Sequence, residues 1–282
     1  MTPSIFLHCR RDIAIGLFTL LLATLSPTAA LAASGLTAGE LNEFKIELPA
    51  ELRTMAGRGK PSSVTHAIVT IATPHNLDMA HEWPVLVISA TSDPEYNSSR
   101  RLLTAYVQKA IDAGWIVVAA DPVQPVTVEQ DDVPMRLALN TAALAVLAKV
   151  WPGASKAPLA FGGFSGGAKY SGWLAAAFAS QGRTVIGIYI AGINQETLVA
   201  AATQFNVLNA AFKRIPVFVQ AGNGDKVATP ADHQDVVTDL KRAGFKNVRF
   251  ELTQGAHEVD PEPLGAALDW FRQFAAVPTT TK

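Results

Sequence analysis

Pro158-Leu159-Ala160-Phe161 runs straight into Gly162-Gly163-Phe164-Ser165-Gly166-Gly167, and an Ala-rich segment follows to about Ser180. The first part reads as a buried strand and the last as a helix. Gly163 to Gly167 therefore carries the Gly-x-Ser-x-Gly pattern at a strand-to-helix turn. Glycines on both sides let the backbone turn tightly while a serine stands in a strained conformation. The following helix points its positive end at the same place. Two other Gly-rich readings fail on spacing. A phosphate loop needs Gly directly before Lys, but Lys169 follows Ala168. A dinucleotide fingerprint needs G-x-G-x-x-G after the first strand, and this segment lies mid-chain.

The segments downstream repeat the arrangement. Ile215 to Gln220 reads as a strand, and Ala221-Gly222-Asn223-Gly224-Asp225 follows it. Val248 to Leu252 reads as the last strand, and Thr253-Gln254-Gly255-Ala256-His257 follows that. Ser165, Asp225 and His257 thus each fall just beyond a separate strand, where α/β sheets place ligands and reactive groups. A serine hydroxyl is a weak nucleophile that needs a base, a group to orient the base, and donors for the oxyanion. The three residues supply the first requirements in one chain order.

The remaining elements alternate. Phe44 to Leu52 and Val64 to Thr73 alternate apolar and polar residues and read as two antiparallel entry strands. Val85 to Ile88 and Trp115 to Ala120 are continuous apolar runs, as in strands buried on both faces. Helices are expected from Ser98 or Ser99 to about Ala113, and from Pro134 to near Trp151. Others are expected over about Glu196 to Lys213, Pro230 to Ala243 and Pro263 to Ala275. Strand-helix alternation implies a mostly parallel sheet with helices on both faces, α/β in class. No repeat or second domain is evident.

The chain has 282 residues, 49% of them hydrophobic, and a formal net charge of −1. That balance gives no reason to expect nucleic acid or an anionic membrane as a partner. Residues 1–33 read as an export signal. Arg10 and Arg11 precede an apolar Ile13 to Leu25, and Ala30-Leu31-Ala32 offers a small-residue cleavage site. The apolar run is short for a membrane span, although an uncleaved anchor is the other reading. The pattern looks bacterial, so the expectation is a secreted or periplasmic chain, with 34–282 as one domain and no stable anchor after cleavage. The single cysteine, Cys9, lies in the signal. Mature protein would then have neither disulfide nor thiolate chemistry.

Residues 64–275 resemble the α/β-hydrolases, specifically compact esterase or lipase-like members. Gly163, Ser165, Gly167, Asp225 and His257 carry the resemblance, helped by Val227 and Pro230 after the acid. The resemblance implies the α/β-hydrolase fold and a Ser-His-Asp triad working through an acyl-enzyme. It implies the Gly166 amide as one oxyanion donor and a second donor from the loop after Val85–Ile88. Many esterases have His-Gly there. This chain reads Ser89-Ala90-Thr91-Ser92, which leaves Thr91 and Ser92 both open. The segments after Ala191 and Asp225 are too short for a large cap domain. The site is therefore expected to be open, suited to short acyl esters or ester groups on a polymer, with no cofactor. A peptidase or thioesterase of the same fold, or a non-catalytic binding protein, are the alternatives.

The other acids and histidines read as structural or solvated residues. Asp232, Asp235 and His233 fall on one helix, on a face expected to be solvated. Asp260 follows His257 closely in a Pro-rich turn, and His66 reads as a packed or edge residue. His75, Asp78 and His81 lack the spacing of a helical metal motif, and no metal is expected.

Overall fold

The computed structural model describes residues 35–90 and 98–275. The segment 1–33 read as an export signal and the candidate donors Thr91 and Ser92 lie outside the described residues. Among the described residues, eight strands form one sheet: β1 (Leu41–Glu47), β2 (His66–Ala72), β3 (Val85–Ser89), β4 (Ile116–Pro122), β5 (Leu159–Phe164), β6 (Val185–Ala191), β7 (Val217–Gly222) and β8 (Val248–Thr253). Their order is β1-β2-β4-β3-β5-β6-β7-β8. β1 pairs antiparallel with β2 and β2 with β4, while every other pairing is parallel.

Seven α-helices accompany them among the described residues: α1 (Ala50–Ala56), α2 (Ser99–Asp112), α3 (Val133–Val150), α4 (Gly166–Ser180), α5 (Leu198–Gln204), α6 (Pro230–Arg242) and α7 (Glu262–Ala275). Successive strand residues point to opposite faces, so the central strands feed two apolar clusters. Val85, Val87, Ile116 and Val118 pack with α1, α3, α4, α5 and α6 on one face. Leu86, Ile88, Val117 and Ala119 pack with α2 and α7 on the other. Both faces of β3 and β5 are covered, which explains why these strands lack polar alternation.

β3 lies between β4 and β5, and the helices leaving β3 and β5 go to opposite faces. That divergence opens a crevice at the carboxyl ends of β3 and β5, the general location of ligand sites in open α/β sheets. No large cap domain interrupts the described residues.

Two elements depart from the sequence expectation. Residues 44–52 do not continue as one strand. Pro49 has no N–H for a ladder, and Ala50–Ala56 behind it is helical. The helix expected over 196–213 is confined to Leu198–Gln204, because Asn206 adopts φ 54° and ends it.

Candidate active site

Ser165 sits between β5 and α4 with φ 55° and ψ −121°. An L-residue in this region costs on the order of 1–3 kcal/mol, so its surroundings must enforce it. Two glycines do so by letting backbones touch. A Cβ on Gly163 would lie 2.3 Å from the Gly167 carbonyl carbon, and one on Gly167 would lie 2.1 Å from the Ser89 oxygen. The turn is also tied to the sheet, since the Ser165 N–H donates to Ala191 O at 2.8 Å. Ser165 precedes α4 but does not cap it with its side chain. The hydroxyl is left to face His257.

The loops bearing Asp225 and His257 leave neighbouring strands, with Gly222 opposite Thr253 in the β7–β8 register. They are laced together beyond the strands. Asn223 N–H donates to Thr253 O and Gly224 N–H to Gly255 O, both at 2.8 Å. The result is a continuous chain of side chains. His257 Nδ1 lies 2.7 Å from Asp225 Oδ2, and His257 Nε2 lies 3.1 Å from Ser165 Oγ. An ionised carboxylate can only accept, so Nδ1 carries the proton and the Nε2 lone pair faces the serine hydroxyl. The imidazole packs on the Phe164 ring, with centroids 4.7 Å apart.

Asp225 is held as an anion. Its side chain is 1% exposed while that of His257 is 18% exposed. Burial opposes the charge. The His257 bond, with the amides of Ala228 and Val227 donating to Oδ1 at 2.8 Å, outweighs it and holds the carboxyl below its ordinary value of 3.8. The half-buried Gly166 opens α4, where backbone N–H groups lack intrahelical partners. A pocket of about 220 Å³ lies alongside, lined by Leu102, Ala105, Phe164 and Val259 with Ser98, Arg101 and Glu258.

The other acids are engaged elsewhere. Asp232 closes a capping box with Thr229 at the start of α6. Asp235 is exposed, and Asp260 accepts from the Glu262 amide at 3.0 Å. His66 is half-buried beside the Thr65 hydroxyl. Asp78 accepts from Ala80 N–H and His81 packs on Trp83. Among the described residues, no three His, Cys, Asp or Glu side chains converge as metal ligands would.

His233 corrects the sequence reading. It is fully buried rather than solvated, as are Val236, Val237 and Leu240 of the same helix. The spacing i, i+3, i+4, i+7 places all four on one face, which is the signal that would have found it.

A second group was missed in the sequence. Arg136, 1% exposed, makes two 2.6 Å bonds to Asp131 and a 2.8 Å bond to Ser99 Oγ. Ser99 Oγ in turn accepts from Ala90 N–H at 3.2 Å. Asp121 receives the amides of Ser99 and Arg100 at the head of α2. Asn140 reaches Ser89 Oγ, and the Tyr170 hydroxyl of α4 donates to Asp131 O. This cluster braces the end of β3 and the first turns of α2 and α4. Arg136 and Asn140, four residues apart in an Ala/Leu-rich helix, are its sequence trace.

Comparisons with family models and with curated proteins find no match. Solved structures do match. A lidless α/β serine hydrolase from Xanthomonas campestris superposes with a TM-score of 0.57 at 16% identity, over 87% of this chain and 100% of that one. An α/β serine hydrolase homologue from Coxiella burnetii gives 0.53 at 16% identity, over 85% and 97%. A cold-adapted esterase from an Arctic intertidal metagenomic library gives 0.55 at 13% identity, over 86% and 97%. With the strand order above, these likenesses establish that the chain has the α/β-hydrolase fold.

Proposed function

We propose that this chain is a serine hydrolase, and that its substrates are carboxylic esters with a short acyl or alcohol group, small or carried on a polymer. The observation behind this reading is the continuous Ser165–His257–Asp225 contact chain, with the serine on a strained turn at the carboxyl end of β5. Ser165 Oγ attacks the ester carbonyl as His257 Nε2 takes its proton. The buried Asp225 carboxylate fixes the Nδ1–H tautomer and stabilises the imidazolium. His257 then protonates the departing alcohol, leaving an acyl-enzyme. Water attacks that ester by the same steps in reverse. The Gly166 amide is one donor to the oxyanion, and Thr91 or Ser92 is proposed as the other.

An open crevice and a pocket of about 220 Å³ favour a short group over a long acyl chain. Export is proposed on the strength of the Arg10-Arg11, Ile13–Leu25 and Ala30-Leu31-Ala32 pattern alone. The test is a fluorophosphonate probe followed by peptide mapping, then turnover across esters of rising acyl length. Labelling of Ser165 and a peak at short chains is the expected result. An unlabelled, folded protein would make it a non-catalytic member of the fold. Faster turnover of thioesters or peptides than of esters would change the substrate class.

A further inference from the structure

His233 bonds to Ile193 and Thr229 and so joins the two parts of the chain that hold Ser165 and His257. The Ile193 N–H donates to His233 Nε2 at 2.9 Å, and His233 Nδ1 lies 2.9 Å from Thr229 O. A backbone amide can only donate, so Nε2 must carry a lone pair. A carbonyl can only accept, so Nδ1 must carry the proton. The surroundings therefore require one neutral tautomer. The ring is 0% exposed, which leaves no water to replace either partner.

Each end of this strut leads to the site. Thr229 closes the loop whose Val227 and Ala228 amides bind Asp225, and it caps α6. Ile193 belongs to the turn after β6. At the end of β6 Ala191 O receives the Ser165 amide, and Gly192, at φ 61°, lies against Phe164. A Cβ on Gly192 would fall 2.6 Å from that ring, and the same ring carries His257. We propose that His233 is a positioning residue: neutral and protonated on Nδ1, it fixes the Asp225 loop against the turn that seats Ser165, and on protonation of Nε2 it lets that turn go.

The charges around it set when that happens. Burial works against the imidazolium and His257 repels it. The Thr229 carbonyl, Asp225 and Asp232 favour it but do not compensate, so His233 titrates below its ordinary value of 6.5. Glu196, on the same loop as Ile193, is occupied with the Val199 amide. Protonated His233 would offer an N–H to the Ile193 N–H, a donor facing a donor inside the core. The amide would then lose its acceptor.

The inference rests on the serine-hydrolase reading for its kinetic test but has an independent spectroscopic one. The parent, His233→Gln and His233→Leu are compared after circular dichroism has shown each to be folded. Glutamine can accept from Ile193 but does not ionise, whereas leucine does neither. In the parent, the acid limb of the fluorophosphonate labelling rate should carry one proton more than in His233→Gln. In His233→Gln the rate should fall with one proton throughout. His233→Leu should label roughly 10-fold or more slowly even near neutral pH, since small misplacements of reacting groups are costly. Identical single-proton acid limbs in the parent and His233→Gln would overturn the proposal. Should the parent fail to label at any pH, the nucleophile reading falls, and nitrogen NMR of the histidines decides this one. An Nδ1–H tautomer at His233 whose protonation shifts both the Ile193 amide and the His257 Nδ1 proton supports the strut. If those resonances stay put while His233 titrates, it is not one.

Discussion

Two carboxylate-centred clusters lie on either side of the β5–α4 turn, and they are built on opposite plans. Around Arg136, a guanidinium and the Asp131 carboxylate are at most 3% exposed, and the other partners are hydroxyls, amides and the Asp121 carboxylate. Its cation is a guanidinium, which keeps its proton. Around His257 the carboxylate is equally buried, but its partner is a titratable ring that is partly open to solvent and faces a hydroxyl on a strained backbone. The first arrangement can only hold shape. The second can pass a proton to and from something arriving from outside. Burial of a carboxylate does not distinguish them; the partner's ability to titrate and its access to solvent do.

The largest effect should come from the hydroxyl itself. Ser165→Ala should lower ester turnover by about 10³-fold or more, because the remaining groups have no nucleophile to activate. Unfolding in urea should barely change, since the side chain caps nothing. Substantial turnover by a folded mutant would remove the functional half of the comparison. Next comes the carboxylate. Asp225→Asn should cost about 10²–10⁴ in kcat by favouring the wrong imidazole tautomer. Asn at Asp232, Asp235 or Asp260 should stay within a few-fold of the parent, because those groups serve a cap, solvent and a turn. A collapse at one of these three with Asp225→Asn fully active would reassign the acid.

The Arg136 cluster should answer in stability instead. Arg136→Met leaves Asp131 buried without its guanidinium, and breaking a buried pair this way costs about 3–5 kcal/mol. The urea midpoint should fall accordingly, while the folded fraction still labels with fluorophosphonate. A variant of unchanged stability but lost labelling would mean that the cluster belongs to the reaction.

These two clusters were also unequally legible. Ser165, Asp225 and His257 could be read because each follows an apolar strand directly and chain order alone brings them to one edge. Strand positions were legible for the same reason: β3 and β4 are runs of apolar residues that no other element accommodates as well. Asp131, Arg136 and Asn140 lie in one short stretch at the head of α3, but Ser99 and Ser89 reach them only because β3 pairs with β4. No local pattern encodes that meeting. His233 lay between the two cases. Its helical spacing with Val236, Val237 and Leu240 was in view, but a histidine beside two aspartates suggests a wet surface. The α1 and α5 boundaries were missed where a single residue, Pro49 or Asn206, overrode the composition around it.

The smallest effect sets Asp225 against Asp132, the neighbour of the Arg136 cluster, by sign. Asp225 titrates below its ordinary value of 3.8 in the folded protein, for the reasons given above. Between those two values the unfolded chain binds more protons, so its contribution is present above 3.8 and is lost as pH falls through the folded value. Asp132, next to Asp131 at the head of α3, behaves oppositely. Burial raises it above 3.8, outweighing the Met135 amide and Arg58, and the charge of Asp131 adds to the rise. There the folded protein binds more protons, so its contribution is present below 3.8 and is lost as pH rises through the folded value. Urea unfolding is followed from about pH 6 downward through 3.8, the unfolded end of both windows. Acidification destabilises Asp225→Asn less than the parent, because the group that lost its bonds on protonation is gone. It destabilises Asp132→Asn more, because the group that gained from protonation is gone. Shifts in the same direction for both variants would mean that burial governs Asp225 as it does Asp132. The carboxylate beside His257 would then not be the standing anion that the reaction requires.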